Sequence, residues 1–509
     1  MQRLSLSVNS SSAHVMCRLM FPWESRLRVG VVRLVRCAPW EQMTRNGRPA
    51  ARACGVGDTT SVQIPEINYA RSGDVAIAYQ VIGSGEGAKG TDIVFVRGMS
   101  SDLLSTWDQP LLVQHIERLA TNGRLLLLDR RGTGLSDRVR EVPSLESTMD
   151  DIRAVMDAAG SERAVLWTGL SSTGVGVLFA ATYPERCAGL MLLDPQVRGG
   201  RSDDYPWAPT DEEWRDRLRK IRDGWGTREY LEEQARAWIP TKADDPAFVD
   251  WLVGHMRRSL SPGAALTAYR MAMEVDVTDV LAAVRVPTLV LARPPERDRA
   301  RWTADRIRDA RLVDLPQFDD IFVWVRDEVH DAAQAAVASF IGSLTAPTTP
   351  DRVLATILFT DVVASTVRAA ALGDVAWRDL LTRHHALVRR ELARHQGVEL
   401  DTAGDGFFAT FDGPARAVRA AIAIREAVRE LGVEIRSGIH TGECELHDGK
   451  VVGIAVSIGA RISGLAGPGE VLVSNTVKDL VAGSGLRFEE RGAHELKGVP
   501  GEWVVFAAE

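Results

Sequence analysis

The chain has 509 residues, 45% of them hydrophobic, and a formal net charge of −7. That length holds more than one core, and the mildly acidic balance argues against a general basic field for nucleic acid and against an acidic disordered chain, so no nucleic-acid partner is expected. The five cysteines (Cys17, Cys37, Cys54, Cys187, Cys444) form no CxxC pair, which argues against a zinc ribbon or a disulfide scaffold.

Residues 1–60 carry nine arginines, no lysine and three acids, Glu24, Glu41 and Asp58. Arginines interrupt the apolar letters, so no signal-peptide core is formed. Residues 1–61 read as a disordered or mis-started basic extension, with a basic arm on anionic lipid as the alternative. No run of about 18 apolar residues occurs, so no membrane helix is expected and the location reads as cytoplasmic.

From about residue 62, short apolar runs alternate with stretches long enough for helices: Ile93–Val96, Leu125–Asp129, Ala164–Trp167, Leu190–Asp194, Thr288–Ala292 and Arg311–Leu315. Such unalternating runs suit strands buried on both faces of a doubly wound parallel sheet. Residues 200–282, with Trp207, Trp214, Trp225, Trp238 and Trp251 among many charges, read as a helical cap between two strands. Residues 74–342 resemble an α/β-hydrolase on three segments: Asp129–Asp137, Gly169-Leu170-Ser171-Ser172-Thr173-Gly174, and Tyr183-Pro184-Glu185-Arg186. The resemblance makes Ser171 a candidate nucleophile on a sharp strand-to-helix turn. Thr173 stands where a second glycine belongs. Glu296 or Asp298 is available as the acid. No histidine follows the strand ending at Leu315, and His330 comes about ten residues late on an expected helix. A serine without a base is a poor nucleophile. The expectation is a degenerate hydrolase domain over 62–342, with Ser171 vestigial, that senses an unknown small-molecule ligand or supports a dimer.

Residues 343–352, rich in small residues and proline, read as a linker. A second domain is expected over 353–509. Val353–Phe359 reads as a strand, and Leu380, His384, Leu387, Val388 and Leu392 recur at helical spacing with Gly397 as the stop. Val398–Phe411 reads as a hairpin, Pro414 opens a further helix, and Ile435–Cys444 reads as a strand. The order β-α-β-β-α-β suits a ferredoxin-like α+β sandwich. Asp361 ends a buried strand and Asp405 sits in a hairpin turn, so both carboxylates can share divalent ions. Ser365 and Thr366 would open the next helix, whose N–H groups suit a phosphate.

Together these segments resemble the catalytic domain of class III nucleotidyl cyclases, over about 352–507. The resemblance rests on Phe359-Thr360-Asp361, Gly404-Asp405-Gly406, Gly438–Glu443, Val456–Arg461 and Leu496-Lys497-Gly498. It implies that Asp361, Asp405 and the Val362 carbonyl hold two Mg²⁺ or Mn²⁺ ions per site. Arg461 would meet charge at the α-phosphate, and Lys497 would hold the triphosphate. It implies a head-to-tail homodimer through this domain, with sites shared between the copies. The family's base-reading lysine and aspartate fall on Asp401 and Lys450, an exchanged pair. Such a pair reads adenine from opposite sides, reads guanine, or forms a salt bridge and reads nothing. Ser457 stands at the ribose-orienting asparagine. Ala364 replaces a glycine of the phosphate loop, and alanine there calls for a negative φ. The expected activity is conversion of ATP to 3′,5′-cyclic AMP and pyrophosphate. GTP cyclisation, a silent nucleotide-binding pseudo-cyclase and an esterase are the alternatives.

Overall fold

The computed structural model describes residues 64–83, 91–139, 143–344, 352–447 and 450–509. The expected N-terminal extension lies outside the described residues, as does most of the expected linker. Residues 62–509 form one compact unit.

The N-terminal part runs β1 (Asn68–Ser72), β2 (Val75–Ile82), β3 (Asp92–Phe95), α1 (Leu103–Thr106), α2 (Pro110–Ala120), β4 (Leu125–Leu128), α3 (Leu145–Ala158), β5 (Ala164–Gly169), α4 (Thr173–Thr182) and β6 (Cys187–Leu193). The cap follows as α5 (Asp211–Gly224), α6 (Arg228–Trp238), α7 (Pro246–Ser259) and α8 (Pro262–Glu274). The chain then returns to the sheet through β7 (Thr288–Ala292), α9 (Arg297–Ala304), β8 (Arg311–Asp314) and α10 (Asp327–Ser343). The strand order is β1-β2-β4-β3-β5-β6-β7-β8. The six strands from β4 to β8 in that order pair in parallel. The sheet also has an antiparallel edge, β1–β2–β4, that the apolar runs did not reveal. A tight turn with Gly73 at φ +60° makes that hairpin.

The four leucines of β4 show why unalternating runs mark this sheet. Leu126 and Leu128 enter the core layer of α3 and α4, while Leu125 and Leu127 enter the layer of α2 and α10. All four are fully buried. Each such burial is worth about 1.5–3 kcal/mol. The cap helices begin on strong signals. Thr210 and Glu213 form a capping box, and Asp245-Pro246 and Ser261-Pro262 place a capping side chain before a first-turn proline.

The C-terminal part runs β9 (Arg352–Val362), α11 (Ser365–Leu372), α12 (Asp374–Arg394), β10 (Val398–Ala403), β11 (Gly406–Phe411), α13 (Pro414–Arg429), β12 (Ile435–His447), β13 (Lys450–Val452), α14 (Ile454–Leu465), β14 (Val471–Ser474), α15 (Asn475–Leu480), β15 (Phe488–Glu495) and β16 (Glu502–Ala508). Its sheet order is β10-β11-β9-β12-β14-β16-β15, with β13 paired to β12. The first four strands give the ferredoxin-like arrangement. One expected detail is corrected. The left-handed residue that ends α12 is Gln396, at φ +60°, and not Gly397. Gly397 is glycine for room: a Cβ there would lie 2.5 Å from the Phe411 ring.

The two parts are docked through α3 and α13. The Ala415 N–H donates to Glu146 Oε2 at 3.0 Å, and Arg416 pairs with Glu146, Asp150 and Asp412. Tyr183 donates its hydroxyl proton to Asp412 at 2.7 Å, and Arg153 meets the same carboxylate at 3.1 Å. Leu354 and Leu480 extend the apolar core of the N-terminal part across this boundary.

Candidate active site

Strand alternation decides where Asp361 points. Leu358 and Val362 enter the layer of α12 and α13, and Ile357 enters the opposite layer beside Ala455 of α14. Asp361 therefore shares the α14 side with Ile357 and Phe359. Phe359 stacks on Phe408 of β11, with ring centroids 4.7 Å apart. Arg436, the register partner of Asp361 on β12, donates to its Oδ2 at 2.7 Å.

Asp405 arrives from the β10–β11 turn. Gly404 supplies the turn's positive φ of +64°, and β11 pairs with β9. The Val362 N–H donates to Asp405 Oδ2 at 3.0 Å, which ties the turn to the strand end. The two carboxylates are brought together there. Burial raises the Asp405 pKa, and the facing Asp361 raises it further. Two acids pressed together and flanked by one arginine form an oxygen donor set suited to a hard divalent cation. Among the described residues no group of three or more His, Cys, Asp or Glu side chains gathers as a metal site. A pair of carboxylates suits an ion that draws its other ligands from main-chain carbonyls, water and substrate phosphates, the habit of Mg²⁺.

Two histidines hold the turn, a role the sequence did not disclose. His384 Nε2 lies 3.2 Å from the Asp405 carbonyl, and His385 Nε2 lies 2.9 Å from that of Gly404. Burial pushes the His384 imidazole down to about 4, so it is neutral and donates through Nε2. The helical spacing had counted His384 as a core letter. The adjacent His385 was the available signal.

Ser365 and Thr366 open α11 as expected, with Thr366 exposed. Ala364, the residue before them, has φ +55°. The expectation of a negative φ is corrected. The loop keeps its left-handed turn, and alanine bears a strain of about 1–2 kcal/mol there.

Ser457 and Arg461 lie one turn apart on the exposed face of α14. Arg461 Nε donates to the Lys497 carbonyl at 3.1 Å, so these two expected residues meet. Among the described residues, no hydrogen bond or ion pair joins either of them to Asp361 or Asp405. Asp401 is exposed on the edge strand β10, its carboxylate accepting from the Thr402 N–H at 2.9 Å. Lys450 sits opposite His447 in the β12–β13 pair, and its side chain lies outside the described residues.

In the N-terminal part, Ser171 follows β5. The strained residue of its turn is Leu170, at φ +50°. A cavity of about 620 Å³ opens beneath the cap with Ser171 in its wall. Among the described residues, no histidine, aspartate or glutamate lines it. His330 is fully buried elsewhere, 3.1 Å from His115. Glu296 pairs with Arg299 at 2.8 Å, and Asp298 is exposed. Thr173 takes the second glycine's place without loss of packing, because the close contacts fall at Gly169 and Gly176.

Residues 350–508 match the family model described as the adenylate and guanylate cyclase catalytic domain. These residues form a cyclase catalytic domain. The chain matches putative adenylate cyclase 3 of Rhizobium meliloti (strain 1021), 30% identical over 129 residues, 24% of this chain and 22% of that protein. The chain spans 16% of the length of another, uncharacterized R. meliloti relative. The chain also matches putative carbamate hydrolase RutD of Caulobacter sp. (strain K31), 27% identical over 234 residues, 43% of this chain and 81% of that protein. The solved adenylyl cyclase CyaB of P. aeruginosa superposes with a TM-score of 0.30 at 22% identity, covering 31% of this chain and 94% of that one. The chain thus joins an α/β-hydrolase-like domain to a cyclase domain. No helix among the described residues is long and apolar enough to cross a membrane.

Proposed function

We propose that this protein cyclises ATP to 3′,5′-cyclic AMP and pyrophosphate at sites shared by two copies, with Mg²⁺ or Mn²⁺, two ions per site. The observation that carries the reading is the juxtaposition of Asp361 and Asp405 at the end of β9, inside a domain of the cyclase family. The reaction is an in-line attack of the ribose 3′-oxygen on the α-phosphorus, with the bond to pyrophosphate breaking on the far side. When bound, the ions supply the positive charge that eases loss of the 3′-hydroxyl proton and meets the charge on the phosphates. Asp361, Asp405 and the Val362 carbonyl hold them. Arg436 orients Asp361, and the N–H groups at Ser365 and Thr366 receive a phosphate oxygen. A second copy brings Arg461 and Lys497 to the phosphates, and Ser457 to the ribose. Base choice falls to Asp401 and Lys450, and this exchanged pair favours GTP as the second reading. A nucleoside triphosphate substrate implies a cytoplasmic location.

The N-terminal domain acts on this reading as a ligand-binding regulator and not as a hydrolase, because among the described residues Ser171 faces no histidine or acid. Arg131, in the cavity wall, is bound to Asp151 of α3, and α3 in turn grips α13 through Glu146 and Asp150. Helix α13 follows directly on β11, the strand that leaves Asp405.

Purified protein with Mn²⁺ and either ATP or GTP is assayed side by side for cyclic nucleotide and pyrophosphate. Faster turnover of ATP is expected, and the Asp401→Lys, Lys450→Asp double exchange should push the preference further toward adenine. A mixture of Asp361→Ala and Arg461→Ala proteins, each inactive alone, should regain activity through mixed dimers. No gain on mixing would remove the shared site.

A further inference from the structure

The cavity beneath the cap is built for charge. Six arginines line it: Arg130, Arg131, Arg138, Arg198, Arg217 and Arg299. Three are balanced, Arg131 by Asp151, Arg198 by Asp276 and Arg299 by Glu296. Among the described residues the other three are not. Among the described residues Arg138 donates to main-chain carbonyls alone, including those of Gly134 and Ser259. Arg217 rests over the Trp214 ring at 5.0 Å. Arg130 is the decisive one. It is 9% exposed, and among the described residues its guanidinium has no hydrogen-bond or ion-pair partner. Burial depresses its pKa, and only the more distant Asp151 opposes that shift. An unpaired buried cation is costly unless a partner arrives. The rest of the wall mixes polar side chains, among them Ser171 and Gln196, with an apolar part that includes Trp207, Met271 and Val275.

We propose that this cavity binds a small amphipathic organic anion, its carboxylate or phosphate head on Arg130 and its apolar body against Trp207 and Met271. The volume of about 620 Å³ suits a ligand of that size. Ser171 is then a polar contact and no nucleophile, since a proton taken from it has nowhere to go within the described wall. This deepens the reading of the N-terminal domain as a ligand-binding regulator and rests on it.

The test is calorimetric titration of the full-length chain with three probes that share one apolar body: 3-phenylpropionate, 2-phenylethyl phosphate and the neutral 3-phenylpropionamide. Saturable binding of at least one anion is expected, at least about tenfold tighter than the amide, the scale of one charge-assisted hydrogen bond. The tighter anion identifies the head group. Arg130→Met should weaken that anion by about tenfold or more. Ala268→Trp, which fills the cavity from α8 and leaves every charge in place, should abolish binding. Equal binding of the amide, unchanged affinity in both variants, or no saturable binding of either anion overturns the proposal. Cyclase turnover is measured in parallel with and without the bound anion. Binding that leaves turnover unchanged keeps the site and removes the regulatory reading.

Discussion

Both domains carry a polar residue at the end of a buried strand, and the company the two residues keep is opposite. Ser171, after β5, faces a wall of arginines and no acid or histidine among the described residues. Asp361, at the end of β9, faces a second carboxylate and one arginine. The lesson is that a strand-end residue acquires its role from neighbours distant in sequence. In one wall a serine meets no histidine or acid among the described residues, while at another strand end an arriving turn brings two acids together.

The sharpest way to break that contrast is to remove one acid. Asp361→Ala or Asp405→Ala should lower cyclic nucleotide formation by roughly 10³-fold in a turnover assay, while the melting temperature stays near wild type. Activity that survives either change would undo the assignment of the C-terminal site. The docking of the two domains comes next. Arg416→Met leaves Glu146, Asp150 and Asp412 without their shared cation and should cost about 3–5 kcal/mol in chemical denaturation. A loss under one kcal/mol would mean that the domains do not rely on this cluster.

Smaller effects sharpen the comparison. His385→Ala should slow turnover by about tenfold with little change in KM, because it loosens the turn that aims Asp405 without touching substrate. The Glu146 carboxyl, buried and beside Asp150 and Asp412, is pushed up from 4.5 to about 7. Its folded-state pKa is the higher one, so its contribution to stability is full below about 4.5 and is lost as pH rises through about 7. Across that window the melting temperature of wild type should fall relative to Glu146→Gln, and parallel curves would contradict this. Least of all, Ala364→Gly should raise stability by about 1 kcal/mol or less, by releasing the left-handed strain at φ +55°.

Much of the architecture was legible because burial on both faces leaves a mark in the letters. The Leu125–Leu128 run and Thr288–Ala292 announced central strands, and the first-turn proline Pro414 announced a helix start. The β1–β2 edge was not legible, since half of β1 is exposed and carries no apolar run. The Asp361 and Asp405 pair stood out through its motifs. Arg436, His384 and His385 did not, because each acts through a partner tens of residues away.

The amino-acid order by itself determined which segments become many of the strands and helices, and that no histidine follows Leu315 where a hydrolase base is expected. Those are properties of local period and composition, which act over a few residues. Only the tertiary structure decided that Asp361 and Asp405 face each other, that Ala364 is left-handed, and that Arg130, unpaired among the described residues, lines a cavity. Each of these depends on strands and helices far apart in sequence being pressed together, where burial and electrostatic interaction replace local propensity as the controlling energies.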